Sequence, residues 1–112
     1  MTRDSQLYYE DVLQSIDKIR QYTAGCTLDQ GQSNPQLQDA VIHRLEIIGE
    51  AVKHIPPEER AKHPYIPWRN IAGMRDVLVH EYFGMNVTRV WAILGKDLSS
   101  LYEAVRALSS PA

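Results

Sequence analysis

Arg75, His80 and Tyr82 fall close together in the run "RDVLVHEYF". Histidine titrates near neutral pH, so it can act as base or acid. Arginine stays charged and presents a planar fork to carboxylate or phosphate oxygens. A phenol donates or accepts a hydrogen bond. A packed core has no use for the three together. A site that moves a proton beside an anion does.

The element carrying them is expected to be a helix opening near Pro67. Its stripe is Trp68, Ile71, Ala72, Arg75, Leu78, Val79 and Tyr82, at spacings of three and one. Arg75 therefore takes a position that periodicity reserves for the core. A buried guanidinium with no partner is very costly, so it must meet a carboxylate or face a polar cleft. Tyr82 shares that face if the helix lasts so far. His80 is five residues on, about 140° around an ideal helix. It reaches the arginine only if the helix ends near His80, as Gly84 allows, or if a second chain completes the site. A plainer alternative pairs Arg75 with Glu46 or Glu50 and leaves His80 and Tyr82 as ordinary helix-end residues.

Three further helices are needed to hold this one. The first covers about residues 5–24, with Tyr9, Val12, Leu13, Ile16, Ile19 and Thr23 on one face. The stretch "AGCTLDQGQSN" breaks the pattern. The second begins with Asn34 as cap and Pro35 at its first position. Its stripe of Leu37, Val41, Leu45, Ile48, Val52 and Ile55 is broadened by Ala40, Ile47 and Ala51, which makes it central. Pro56 and Pro57 stop it, and "PEERAKH" adds a short helical turn. The last helix starts after Gly84, with Asn86 as candidate cap. It carries Val87, Trp91, Leu94, Leu98, Leu101, Val105 and Leu108 in a heptad-like seam. Gly49, Gly73 and Gly95 sit inside helical patterns at about 1 kcal/mol each relative to alanine, a cost that close helix approach would explain. The fold class is all-α: an antiparallel bundle of four main helices plus a short one.

The 112 residues fit one domain, 1–112, with a hydrophobic content of 44% and a modest core. A formal net charge of −2 excludes a strongly basic nucleic-acid binder but leaves room for a local basic patch. A single cysteine, Cys26, rules out an internal disulfide or a four-thiolate zinc site and fits a reducing compartment. The charged start "MTRDSQLYYEDVLQ" does not read as a signal peptide, and no apolar run approaches membrane-spanning length. A cytoplasmic protein is expected.

The motif "RDVLVHEY" is arginine, four residues, histidine, one residue, tyrosine. It resembles the defining motif of the HEPN superfamily. The wider context, "HRLEIIGEAVKHI" followed by "PWRNIAGMRDVLVHEYFGMNVTRVWAI", resembles the HepT-like branch. The resemblance covers nearly the whole chain, most strongly residues 40–95, and no motif position departs from the pattern. Asp76 matches the acidic or amide residue common after the arginine.

The resemblance implies an all-α homodimer with the motifs of both chains in a shared cleft. It implies a metal-independent ribonuclease toxin that needs no cofactor of its own. It also implies a partner, an MNT-type minimal nucleotidyltransferase antitoxin, which uses ATP to add AMP to the motif tyrosine. Arg75 and His80 would then be catalytic, Asp76 and Tyr82 supporting, and Tyr82 the AMPylation acceptor. The chemistry suits these residue types. RNA supplies its own nucleophile, the 2′-hydroxyl; a base must take its proton, and a cation must meet the charge developing on phosphorus. One histidine cannot be base and acid at once, but a two-fold dimer supplies two. The alternative function is a non-enzymatic helical subunit that binds the nucleotidyltransferase or presents a substrate to it.

Other candidates are weaker. His43, Glu46, Glu50 and His54 recur on one helix face, but a bundle metal site draws ligands from several helices, so a solvated or ion-paired face is expected and no metal. Lys53, Arg60, Lys62, His63 and Arg69 form either a basic rim for RNA or simply a solvated face. Trp68 and Trp91 read as core or interface rather than base-stacking platforms. Cys26 has no adjacent histidine and is not read as a nucleophile.

Overall fold

The computed structural model describes residues 3–73 and 87–109, and every element among them is helical. The long helices are α1 (Arg3–Thr23), α3 (Pro35–Lys53) and α6 (Val87–Ser109); α2 (Leu28–Gln32), α4 (Pro57–Arg60) and α5 (Trp68–Ala72) are short. Helix α1 packs along both α3 and α6, α5 packs on α3, and α2 bridges α3 and α6. No helix among the described residues is long and apolar enough to cross a membrane.

The stripes close on one core. Tyr9, Val12, Ile16 and Ile19 of α1 meet Val41, Leu45, Ile48 and Val52 of α3, with Leu98, Leu101, Val105 and Leu108 completing it from α6. Leu13 and Leu37 pack at its margin. Thr23 turns its hydroxyl back to the Ile19 carbonyl at 2.8 Å. Burial pushes the Tyr9 phenol above its ordinary range, and the carboxylates of Glu59 and Glu58 add to the shift.

Helix α3 starts as its residue types dictate. The Asn34 side chain accepts from the Leu37 amide at 3.1 Å, and Pro35 occupies the first turn, where no amide is needed. It ends at Lys53, before the Pro56–Pro57 pair.

Two local expectations are corrected. The stretch read as a break contains α2, started by a capping box. Thr27 accepts from the Gln30 amide at 3.2 Å, and the Gln30 side chain accepts from the Thr27 amide at 2.9 Å. The Gln38 amide donates to the Gly31 carbonyl at 2.7 Å and ties α2 to α3. Second, the helix opening at Pro67 does not run on unbroken: α5 ends at Ala72, with Gly73 as its cap. Glycine carries a helix poorly, and here its amide closes the last turn onto the Arg69 carbonyl at 3.0 Å.

Gly49 does mark a close approach. A Cβ there would lie 3.2 Å from the Ile71 carbonyl oxygen and 3.5 Å from that of Ala72, both backbone atoms of α5. Gly49→Val should therefore push α5 away from α3 and cost about 1–3 kcal/mol in urea or thermal denaturation. Gly49→Ala should cost much less, because better helix propensity, about 1 kcal/mol, offsets the tight contact.

Candidate functional site

Arg75, Asp76, His80 and Tyr82 lie outside the described residues, as do Gly84 and Asn86. The side chains of Trp91 and Gly95's surroundings on α6 are likewise outside the description. The described residues include the scaffold that precedes the motif in the chain.

That scaffold is the α4–α5 loop and its seat on α3. The Trp68 indole N–H donates to the carbonyls of both Arg60 and His63, at 3.0 Å each. This tryptophan is buried at 8% exposure, so it serves the core, as its type and position predicted. Backbone bonds close the loop around it: His63 amide to Arg60 carbonyl, Ile66 to His63, and Trp68 to Ile66. Ile66 and Ile71 are buried on either side. Helix α5 is thus fixed at its start by an indole clamp and at its end by the close approach of its Ile71 and Ala72 carbonyls to Gly49.

The other candidate residues separate cleanly. Glu50 is exposed and pairs with Lys53 at 3.6 Å and with His54 at 3.5 Å. The His54 ring stacks on Tyr8, centroids 4.4 Å apart and 9° from parallel. Glu46 is half-buried and His43 exposed. Among the described residues, no three His, Cys, Asp or Glu side chains converge as metal ligands would. Of the basic rim, Lys53, Lys62 and Arg69 are exposed while Arg60 and His63 are half-buried. Lys62 pairs with Glu59 at 3.1 Å. Cys26 is half-buried, its thiol 3.9 Å from the Tyr22 carbonyl. One feature escaped the sequence: Tyr65 stands on the α4–α5 loop with 68% of its surface exposed and its hydroxyl 3.0 Å from His63 Nδ1.

A family model described as Ribonuclease HepT-like matches residues 12–108, nearly the whole chain. The chain belongs to the HepT-like family. It is 41% identical over 101 residues to a protein of Caldanaerobacter subterraneus subsp. tengcongensis named "Putative RNase", a match that covers 90% of each chain. It is 42% identical over 101 residues to a protein of Thermococcus cleftensis named "Probable ribonuclease HepT", across 90% of this chain and 92% of that one. A Methanocaldococcus jannaschii protein, named as a gamma-glutamylcyclotransferase and "putative RNase", is 43% identical over 105 residues. That match takes in 94% of this chain but 47% of the relative, so the chain spans about half of that protein's length. No solved structure matches the chain. HepT-like membership and the helical bundle agree with the fold and family expected from the motif and its flanking helices.

Proposed function

We propose that this chain, as a single domain, is a metal-independent ribonuclease that works as a homodimer and serves as the toxin of a toxin–antitoxin pair. One observation carries the reading. The Arg75-x4-His80-x-Tyr82 pattern stands inside a HepT-like match, and relatives matched over 90% or more of their own length bear ribonuclease names. No cofactor enters the proposed step.

His80 of one copy takes the proton from the RNA 2′-hydroxyl, whose oxygen attacks the adjacent phosphorus. The bond from phosphorus to the 5′-oxygen breaks, and His80 of the second copy returns a proton to that oxygen. The products are a 2′,3′-cyclic phosphate and a free 5′-hydroxyl, so atoms and protons balance. Arg75 neutralises the charge that grows on the equatorial oxygens. Asp76 is a supporting polar residue, and Tyr82 holds phosphate or orients His80. The proposed antitoxin, an MNT-type nucleotidyltransferase, adds AMP from ATP to Tyr82 and sets bulk and negative charge where RNA phosphate must lie. This cycle operates in the cytoplasm, where RNA, ATP and the antitoxin meet.

Purified protein should cleave single-stranded RNA in excess EDTA at the rate seen without it, and Arg75→Ala should abolish cleavage. Activity that disappears with EDTA and returns with a divalent cation would overturn the metal-independent mechanism.

A further inference from the structure

Tyr65 is one of two large apolar side chains that stand exposed among the described residues; the other is Leu7. It differs from the other described tyrosines. Tyr9 is buried, Tyr22 is half-buried, Tyr8 has its face covered by His54, and Tyr102 has the Arg20 guanidinium 4.5 Å from its ring centroid. The His63 ring meets Tyr65 at 78°, centroids 5.8 Å apart, so it lies across Tyr65 rather than parallel to it. The hydroxyl is tied to His63 Nδ1 by a 3.0 Å hydrogen bond, the donor set by the imidazole tautomer. Pro64 and Pro67 flank the ring in sequence, and the Trp68 indole pins the His63 carbonyl beneath the loop. An exposed aromatic held this firmly is ordered before any partner arrives, so little is lost in ordering it on binding.

From these observations we infer that Tyr65, oriented by His63, is a stacking platform for an unpaired nucleobase of the RNA. The inference rests on the ribonuclease reading and deepens it with a substrate subsite. Unpaired bases bind proteins through stacking on aromatic faces beside cations that meet the phosphates. Here the cations belong to the same segment. Residues 58–70 hold Arg60, Lys62 and Arg69 against Glu58 and Glu59. Glu59 is taken up by Lys62, while Arg69 is exposed on α5. The platform also lies on the loop that feeds α5, the element immediately before the motif. Such a subsite favours single strands over duplex, because a paired base has no free face to offer.

The test uses full-length His80→Ala protein and a single-stranded RNA of about 12 nucleotides carrying 5-iodouridine. Anisotropy should show binding, and adding Tyr65→Ala should weaken it about ten-fold or more. Tyr65→Phe keeps the ring and should stay within about three-fold of the parent. Irradiation should cross-link the RNA to the peptide that contains Tyr65. Unchanged affinity in Tyr65→Ala, while unmutated protein still cleaves RNA, would overturn the platform and leave the ribonuclease intact. Tyr65-dependent binding by a protein that never cleaves would sink the ribonuclease reading and keep the platform. A Tyr65→Ala protein that loses its dimer by sedimentation would assign the ring to a protein contact instead.

Discussion

Replacing His80 by alanine should lower the RNA-cleavage rate by at least about 100-fold while the fold survives. General acid–base catalysis by a positioned histidine is worth about 100- to 10,000-fold, and in the proposed two-fold site the substitution removes both the base and the acid. Among the described residues the core is built from α1, α3, α5 and α6, and loss of one imidazole chosen for chemistry rather than packing should leave that core standing. Thermal unfolding of the variant should therefore stay within about 0.5 kcal/mol of the parent. Toxicity on expression should vanish with the cleavage. A His80→Ala protein that melts far below the parent would show instead that the histidine holds the bundle together. Arg75→Ala offers a contrast. It too should abolish cleavage, but a guanidinium that pairs with Glu46 or Glu50 would also lower stability when lost. Activity and melting temperature measured together on the two variants separate the chemical role from the structural one.

Most of the fold was open to reading because helical periodicity reports burial directly. Val41, Leu45, Ile48, Val52 and Ile55 were predicted from spacing alone and are all buried. Gly49 was singled out as a costly helix residue, and its reason is the α5 backbone, whose Ile71 carbonyl oxygen would lie 3.2 Å from a Cβ at this position. What escaped was local. Helix α2 spans 5 residues, too few for a stripe to emerge, and Gly31 within it argued for a turn. Its capping box was nevertheless present in the letters, as Thr27 and Gln30. The end of α5 at Gly73 was hidden because apolar spacing continues across the glycine, so the pattern looked like one helix.

The candidate site divides in the same way. The motif stands out through its resemblance to the HEPN pattern and its flanking helices, whereas spacing alone leaves an ion pair of Arg75 with Glu46 or Glu50 open; Arg75, His80 and Tyr82 lie outside the described residues. Tyr65 was not legible, because an exposed tyrosine between two prolines carries no periodic signal. Its role emerges only from its distance to His63 and from the indole clamp below. The proposed pairing across a dimer has one trace in the sequence, the single histidine of the motif.

Coexpression with an MNT-type nucleotidyltransferase should add AMP to Tyr82, and Tyr82→Phe should escape it. The substitution keeps the ring and removes the one oxygen that can accept the adenylyl group. Intact-protein mass spectrometry should show the adduct on the parent and none on the variant, with peptide mapping to the segment that holds Tyr82. In the proposed two-fold site, an adduct would bring negative charge to where Arg75 and its counterpart in the second copy are proposed to meet the RNA phosphate. Modified parent protein should therefore lose cleavage. The Tyr82→Phe protein separates two roles of the hydroxyl. If the oxygen only receives AMP, the variant stays fully active and remains toxic with the antitoxin present. If it also donates a hydrogen bond to phosphate, the variant cleaves about 10- to 100-fold more slowly. The second outcome is expected, since in the proposed site the phenol can donate a hydrogen bond to a phosphate oxygen. Other tyrosines serve as internal controls: Tyr9 is sealed in the core, whereas Tyr65 is the most exposed described tyrosine. Accessibility alone would direct AMP to Tyr65, so an adduct there, with Tyr82 unmodified, would overturn the assignment and show that the antitoxin selects exposure rather than the motif.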